Sequence, residues 1–332
     1  MAQENIIAFS QAHAEPEWLQ VRPQTAFDKI SELKLPLIQR VKLDRWNVGN
    51  NDITESLDSS NVPDFTNLGE NPKLIQVGTT TVFQQLSPDL ANKGVIFTDF
   101  YSALEEIPEI IEQYFGTALP FDEDKLTAYH TAYFNSAAVL YVPDNVEVNV
   151  PVEGLFYQDS DEAVPFNKHV LIIVGKHAKL SYLERFESLG KDSVKNTANI
   201  AVEVIALEGA QVKFSAIDRL GSNLTTFISR RGRLNKNAQI DWNLGVMNEG
   251  NVVADFDSDL VGEGSHAELK AVAISSGKQI QGIDTRVTNY APHSTGHILQ
   301  HGVILEAGTL PLNGIGHIIR RAKRADAQQE SR

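Results

Sequence analysis

Three histidines near the C-terminal end of the chain have the residue type and the regular spacing that a metal site could use. His293, His297 and His301 lie four residues apart, so on a helix they would share one face and could bind one ion. Proline and glycine residues interrupt this segment, which therefore does not read as a helix. On an extended chain, at about 3.3 Å per residue, the outer two would lie well over ~20 Å apart. We expect no metal site from these three, although a bend could still stack them on neighbouring turns of the chain.

An acidic motif, Asp255-Phe-Asp257-Ser-Asp259, resembles the start of a calcium-binding loop. Such a loop needs glycine at its sixth place and glutamate at its twelfth, where this chain has Leu260 and His266. We interpret the three aspartates as the solvent-facing side of a β-strand.

Two further motifs are explained without chemistry. Gly262-Glu-Gly264 lacks the third glycine and the following helix of a phosphate-binding loop, and it predicts a tight turn. The basic run at residues 320–324 is interpreted as a solvated strand edge.

The chain has no cysteine, so it has neither a thiol nucleophile nor a thiolate ligand. We predict no catalytic, cofactor-binding or metal-binding residue, and we expect a protein that is not an enzyme.

The composition limits the classes of partner. The chain has 332 residues, a length that suffices for two domains or one long solenoid. Hydrophobic residues make up 42 % of it, which is enough to form a large core. A net charge of −14 argues against binding nucleic acid or an anionic membrane over a broad surface. The N-terminus lacks the basic and apolar segments of a signal peptide, and no apolar run approaches the ~18 residues of a membrane span. These features predict a cytoplasmic protein.

The first 135 residues predict an α-rich region. Apolar residues at helical spacing indicate a helix that begins near Pro23, because proline fits poorly inside a helix. A second helical block covers residues 98–134, with Asp99 or Ser102 as its N-terminal cap. Between the two, residues 47–72 are rich in turn formers and predict an irregular segment.

From residue 136 to residue 332 the pattern changes to short strands. The continuous apolar run from His169 to Val174 suits a strand that is buried on both faces. Alanines at successive turns recur in steps of 32, 28 and 29 residues, at Ala178, Ala210, Ala238 and Ala267. A repeat of this length indicates a self-stacking β-structure. We predict a single-stranded parallel β-helix over residues 136–332, with a β-sandwich interaction module as an alternative.

A third hypothesis is an enzyme. β-solenoid enzymes that act on acidic polysaccharides carry acidic and basic side chains on one long face, and this chain offers Asp255, Asp257, Arg230, Arg231 and Arg233. The absence of a signal sequence fits poorly with an extracellular substrate.

Several segments together resemble one family. They are Glu15-Pro-Glu-Trp-Leu19, residues 129–151 and 169–187, and three segments near the end: residues 302–306, residues 312–318 and the run Ala325-Asp-Ala-Gln-Gln-Glu-Ser-Arg332. They resemble the SufB/SufD family, the scaffold subunits of the SUF iron–sulfur cluster assembly machine. The N-terminal part and the lack of cysteine are more similar to SufD than to SufB.

The resemblance implies a right-handed parallel β-helix between an N-terminal helical region and a C-terminal helical ATPase-binding domain. Family members continue beyond the position of Arg332, so we expect that C-terminal domain to be absent from this chain. The resemblance also implies a scaffold that acts with a SufB-like subunit and a SufC-like ATPase, and a homodimer when it is alone. An iron–sulfur cluster is implied for the assembled complex and no cofactor for this chain by itself. The family's functional histidine lies beyond the Gln-Gln-Glu-Ser-Arg segment and is not carried over to any residue here.

The last strands are the expected contact with the second scaffold subunit. On this basis we predict a partner interface within residues 302–332, at Gly314, His317, Asp326, Gln328 and Glu330.

Overall fold

The computed structural model describes residues 2–48, 53–54 and 68–332. Most of the segment 47–72, predicted to be irregular, lies outside the described residues. The α-helices lie in the first part of the chain: α1 (Ala2–Ala12), α2 (Glu17–Lys29), α3 (Pro88–Asn92), α4 (Phe100–Glu106), α5 (Pro108–Tyr114) and α6 (Lys125–Tyr133). Within the described residues, no helix is both long and apolar enough to cross a bilayer.

The remainder of the described chain is mainly β-structure. The strands are β1 (Lys73–Val77), β2 (Thr80–Gln85), β3 (Ile96–Asp99), β4 (Ser136–Val142), β5 (Val152–Asp159), β6 (Phe166–Val174), β7 (Lys179–Leu189), β8 (Asn196–Ala206), β9 (Gln211–Arg219), β10 (Leu224–Leu234), β11 (Gln239–Val246), β12 (Asn251–Leu260), β13 (His266–Ser275), β14 (Gln281–Asn289), β15 (Thr295–Ile304), β16 (Leu312–Ile318) and β17 (Asp326–Ser331).

These strands form two sheets that stack turn upon turn. Sheet A has the order β17-β15-β13-β11-β9-β7-β5-β1-β2, and sheet B has the order β16-β14-β12-β10-β8-β6-β4-β3. From β4 onward each turn gives one strand to each sheet, and strands of successive turns pair in parallel. The predicted parallel β-solenoid is therefore confirmed, with about seven turns. The β-sandwich alternative is wrong, because its neighbouring strands would run antiparallel.

The turns from sheet B to sheet A stack on one another in a column, and this column explains the repeat of the alanines in the sequence. Each turn from sheet B to sheet A contains a residue with positive φ at the same place, and the last of these turns has a second one, Arg321. In the first six turns the N–H of that residue donates to the next turn, as from His177 to the Glu208 carbonyl at 2.9 Å. These residues are 27 to 32 positions apart, and they are Asn145, His177, Gly209, Asn237, Gly264, His293 and Arg324. Ala178, Ala210 and Ala238 follow them directly, whereas Ala267 lies three positions after Gly264, inside β13. The predicted Gly262-Glu-Gly264 turn belongs to this column.

The lumen between the sheets is the main core. Alternate residues of each strand face inward, and on sheet A they include a row of aromatic rings. Phe214 lies 4.6 Å from Trp242, and Phe156 lies 5.2 Å from Phe186, between ring centroids. The rings fill the space between the sheets, so the lumen is packed rather than open.

The N-terminal helices cover the outer face of sheet B. Every residue of β6 is buried, as expected from the apolar run at residues 169–174. Phe100 of α4 and Ile111 of α5 belong to the same cluster as Ile173 of β6. The outer face of sheet A has no such cover among the described residues, and β9 there alternates between exposed and buried positions.

Two details of the N-terminal region differ from expectation, and the structure selects one of the two predicted helix caps. Pro23 lies inside α2 rather than near its start. Asp99 caps α4 by accepting from the N–H groups of Tyr101 and Ser102, each at 3.1 Å, so the cap is Asp99 and not Ser102. Strands β1 to β3 precede residue 136, and β1 pairs in parallel with β5, so the sheets begin before the predicted boundary.

Candidate functional site

Each sheet of the described chain ends in a strand that is paired on one side only. β17 pairs with β15 from Thr295↔Asp326 to Gln300↔Ser331, and β16 pairs with β14. Alternate residues of a parallel strand direct their backbone N–H and C=O groups to opposite sides. About half of the backbone polar groups of each edge strand therefore face away from the solenoid, where another strand could pair with them.

The five predicted interface residues lie on these two strands but on different faces. Gly314 faces the lumen, where a Cβ atom would lie 3.4 Å from Gln300 Oε1. His317 lies three residues after Gly314 on β16 and therefore faces the opposite side, where it is exposed on the outer face of sheet B. The other three follow one another along the outer side of β17, and they are Asp326, Gln328 and Glu330. Gln328 donates to Asp326 at 3.1 Å.

Apolar side chains are exposed beside this edge. Val303 is 45 % exposed, Ile304 55 %, Leu305 49 % and Ile318 47 %. Val303, Ile304 and Leu305 are consecutive at the end of β15, and exposed apolar side chains grouped in this way mark an interaction surface on a folded protein. Ile318 lies apart from them, at the end of β16. The predicted interface range, residues 302–332, includes these four, but none was singled out, because apolar residues at the end of a strand have the same pattern as a buried strand.

Arg231 gathers three carboxylates on the outer face of sheet B. Its guanidinium binds both oxygens of Glu123 and donates to Asp257 at 2.7 Å, and it lies 3.6 Å from Asp255. Among the described residues, these three acids are the group whose potential metal-ligand atoms lie within 4.8 Å of one another. Arg231 already lies among them and supplies the positive charge.

The interpretation of the aspartate motif as solvent-facing is wrong for Asp257, which is 3 % exposed. Glu123, from the segment before α6, lies over this part of the sheet and joins it to the N-terminal region through Arg231. Burial raises the pKa of Asp257 to about 6.

Arg230 points the opposite way, into the lumen, because consecutive strand residues face opposite sides. Its guanidinium donates to Glu184 at 2.8 and 3.1 Å and to Asp218 at 2.6 and 2.8 Å. All three side chains are at most 1 % exposed. The guanidinium carbon also lies 5.6 to 6.0 Å from three aromatic ring centroids, those of Phe186, Phe214 and Phe256.

This lumen cluster contains two carboxylates and one cation. Burial raises the pKa of Glu184 to about 7, with a further contribution from the charge of Asp218, and the attraction of Arg230 offsets only part of this. The two carboxylates in turn raise the pKa of Arg230, which stays charged. A proton on Glu184 leaves the buried cluster neutral.

A buried chain of hydrogen bonds joins the N-terminal region to sheet B. Asn199 O contacts His130 Nδ1 at 3.2 Å, His130 Nε2 contacts His169 Nδ1 at 2.9 Å, and His169 Nε2 contacts Glu203 at 3.0 Å. The Glu203 carboxylate also accepts three backbone N–H groups of the segment after α5, at 2.8 to 3.0 Å, from Gly116, Ala118 and Leu119.

Two groups of this hydrogen-bonded network have shifted pKa values. Burial lowers the pKa of His130 well below its usual value, so this imidazole stays neutral. Burial alone would raise the pKa of Glu203, but the hydrogen bonds from His169 and the backbone N–H groups outweigh it and lower the pKa. The Glu203 carboxylate is therefore kept ionised by the donors around it.

Comparison with known protein families shows to which family this chain belongs. Residues 156–332 match the family described as SUF system FeS cluster assembly, SufBD core domain. Residues 70–153 match the SufBD protein N-terminal region. The chain belongs to the SufB/SufD family. The predicted resemblance is confirmed.

Individual relatives agree with this assignment. The iron-sulfur cluster assembly protein SufD of Bacillus subtilis is 35 % identical over 345 aligned residues, which cover 99 % of this chain and 78 % of that protein. A SufBD family protein of Staphylococcus saprophyticus is 24 % identical over 95 % of this chain and 67 % of its own length. The chain is thus a SufD-like member of the family.

The two matched regions meet near the start of β5. The N-terminal family region ends at residue 153 and the core region begins at residue 156, and β5 spans Val152–Asp159. The N-terminal family region therefore includes β1 to β4, and it ends later than the division predicted at residue 136.

The enzyme hypothesis loses its geometric basis. It needs the acidic and basic side chains on one open face, but Arg230 lies in the lumen, whereas Arg231 and Asp257 lie on the other side of the sheet and are buried. Neither the family nor the fold favours a polysaccharide substrate.

The three histidines at four-residue spacing do not converge. His293 occupies the positive-φ position of its turn, and His297 and His301 both lie on β15. The contacts of His297 are on the neighbouring strand instead, with Glu268 and His266.

The lumen cluster predicts a dependence of stability on pH. Because the pKa of Glu184 is raised from 4.5 to about 7 on folding, its effect on the free energy of unfolding is most favourable below pH 4.5 and is lost as the pH rises to about 7. Glu184→Gln cannot ionise and still offers Arg230 an oxygen. We expect the unfolding midpoint of this variant to decline less than that of the wild type between pH 5 and pH 7.5, as measured by thermal unfolding. Equal declines would show that Glu184 does not titrate in this range.

Proposed function

We propose that this chain is a scaffold subunit of SUF iron–sulfur cluster assembly and that it holds other SUF proteins rather than catalysing a reaction itself. The family match and the 35 % identity to a protein described as SufD support this function. Without cysteine the chain cannot offer a thiolate to a cluster. The cluster is then the cargo of the assembled complex, and this chain contributes a rigid platform.

The end of the solenoid is the proposed contact with a SufB-like subunit. The observation that carries this proposal is the combination of two parallel edge strands, β16 and β17, with exposed apolar side chains beside them. Unpaired backbone groups supply hydrogen bonds, and apolar side chains supply area to bury. The same surface would form the homodimer when no SufB-like partner is present.

The partner side chains that we propose are those predicted from the sequence. Asp326, Gln328 and Glu330 follow the exposed side of β17, and His317 projects from β16. Gly314 faces inward, so its part would be to keep the lumen end free of a side chain. The SufC-like ATPase would bind through a C-terminal helical domain, as in the family pattern, and not through residues 1–332.

A pair of matched valines tests the proposed interface. Val303→Glu places a charge in the exposed apolar group beside the edge, where a partner would have to desolvate it. We expect at least a tenfold loss of affinity for a SufB-like protein, measured by surface plasmon resonance with residues 1–332, which corresponds to about 1.4 kcal/mol or more.

The control is Val150→Glu. Val150 is 42 % exposed, close to the 45 % of Val303, but it precedes β5 at the other end of the solenoid. We expect its affinity to equal that of the wild type. Equal losses in both variants, or strong binding by Val303→Glu, would remove the end of the solenoid as the contact.

A further inference from the structure

Two histidines on the outer face of sheet A are held as a pair. His266 lies on β13 opposite Thr295, and His297 lies two residues beyond Thr295 on β15. Both therefore project from the same side of the sheet. Their ring centroids are 5.6 Å apart at an interplanar angle of 84°.

Each ring is oriented through its Nδ1 atom. His297 Nδ1 lies 3.1 Å from Glu268 Oε2, and His266 Nδ1 lies 2.6 Å from Thr295 Oγ1. When Nδ1–H donates to these oxygens, the lone pair lies on Nε2 of both rings. A carboxylate that accepts from the distal nitrogen of a histidine is the usual outer partner of a metal-binding histidine.

The spacing of the rings is close to that of a metal-bound pair. At a metal–nitrogen distance of about 2.0–2.1 Å, two imidazoles on one ion have centroids about 4.5–5.2 Å apart. The observed 5.6 Å is within reach of small side-chain rotations, since both rings are only partly buried.

The surrounding charge favours a cation. The other oxygen of Glu268, Oε1, forms an ion pair with Lys270 Nζ at 3.7 Å. Asp241 lies opposite Glu268 on β11, and Asp326 lies opposite Thr295 on β17. Three carboxylates thus share this face with one adjacent lysine, and Lys213 is one strand further away.

We propose that His266 and His297 form a binding site for a first-row divalent transition metal, with Glu268 orienting His297 and the remaining positions open to water or to a partner's side chain. Imidazole nitrogen suits Fe²⁺, Co²⁺, Ni²⁺ and Zn²⁺. The site does not depend on the proposed scaffold function, and it departs from the expectation that this chain binds no metal by itself. The sequence did not indicate it, because the two histidines are 31 positions apart and only the solenoid register brings them together.

Calorimetric titration of residues 1–332 with Co²⁺ tests the site. We expect one equivalent to bind, with at least a tenfold loss of affinity in His297→Gln and in His266→Gln. Glu268→Gln keeps the side-chain size but weakens the outer hydrogen bond, and we expect about a tenfold loss. The matched control is His301→Gln, which removes a histidine from the same strand.

The result that overturns the site is an equal loss in His297→Gln and His301→Gln, which would indicate nonspecific binding by surface histidines. Unchanged affinity in Glu268→Gln would also contradict it, since the carboxylate would then have no part. The titration contains no partner protein. A negative result for the metal site therefore has no bearing on the interface that the Val303→Glu variant tests.

Discussion

Replacing Arg230 by methionine should destabilise this protein by about 3–5 kcal/mol at neutral pH, the range measured when one partner is removed from a buried ion pair. Arg230 is the one cation that the structure describes between Glu184 and Asp218, and all three side chains are buried in the lumen. Without it, the Glu184 and Asp218 carboxyl groups lose the guanidinium hydrogen bonds and their counter-charge in an apolar, aromatic environment, although Glu184, with its pKa of about 7, is partly protonated at neutral pH. Chemical denaturation followed by circular dichroism would measure the loss.

Arg233→Met is the matched control. Arg233 lies on the same strand, β10, but is exposed, so its removal should change the free energy of unfolding by no more than about 0.5 kcal/mol. A second variant separates charge from volume: replacing Arg230, Glu184 and Asp218 together by methionine and leucines removes all three charges and should recover most of the loss. If Arg230→Met unfolds like Arg233→Met, the lumen cluster contributes nothing to stability.

The fold could be predicted because its repeat is local. Each turn needs one residue that tolerates positive φ, and small residues follow it, so the period is visible in the sequence. The same turns carry a second periodic signal. The residue before the positive-φ position alternates in charge over five turns, at Asp144, Lys176, Glu208, Lys236 and Glu263. Of these, Lys236 and Glu208 lie 3.7 Å apart.

The sites were less predictable because they depend on packing between distant segments. The sequence shows Asp255, Asp257 and Arg231 as alternating strand residues, and nothing in that pattern indicates that Glu123 will cover them. In the same way, Arg230 and Arg231 are adjacent and alike in sequence but lie on opposite sides of the sheet. The helical cover of sheet B decides which outward-facing residues are buried, and a strand pattern alone does not contain that information.

Replacing Glu203 should have the other large effect, because one carboxylate accepts four buried donors from the N-terminal region and β6. Each buried donor left without an acceptor costs about 1–3 kcal/mol, and His169 would lose the hydrogen-bond partner of its Nε2 atom. Because several donors lose their acceptor together, we expect Glu203→Ala to lower the free energy of unfolding by about 3–5 kcal/mol. We also expect faster hydrogen exchange at the three amides after α5, those of Gly116, Ala118 and Leu119.

Glu203→Gln tests whether the carboxylate of Glu203, and not only its volume, is needed for stability. Glutamine has nearly the same volume, but it keeps only one oxygen and directs an NH₂ group at donors on the other side, so it should be almost as harmful as alanine. Glu208→Gln is the control: this partly exposed glutamate follows the same strand, and its loss should be small. If Glu203→Gln behaved like Glu208→Gln, the carboxylate would only fill space. The N-terminal helices would then be held on sheet B by apolar packing alone, without a contribution from the buried hydrogen bonds of Glu203.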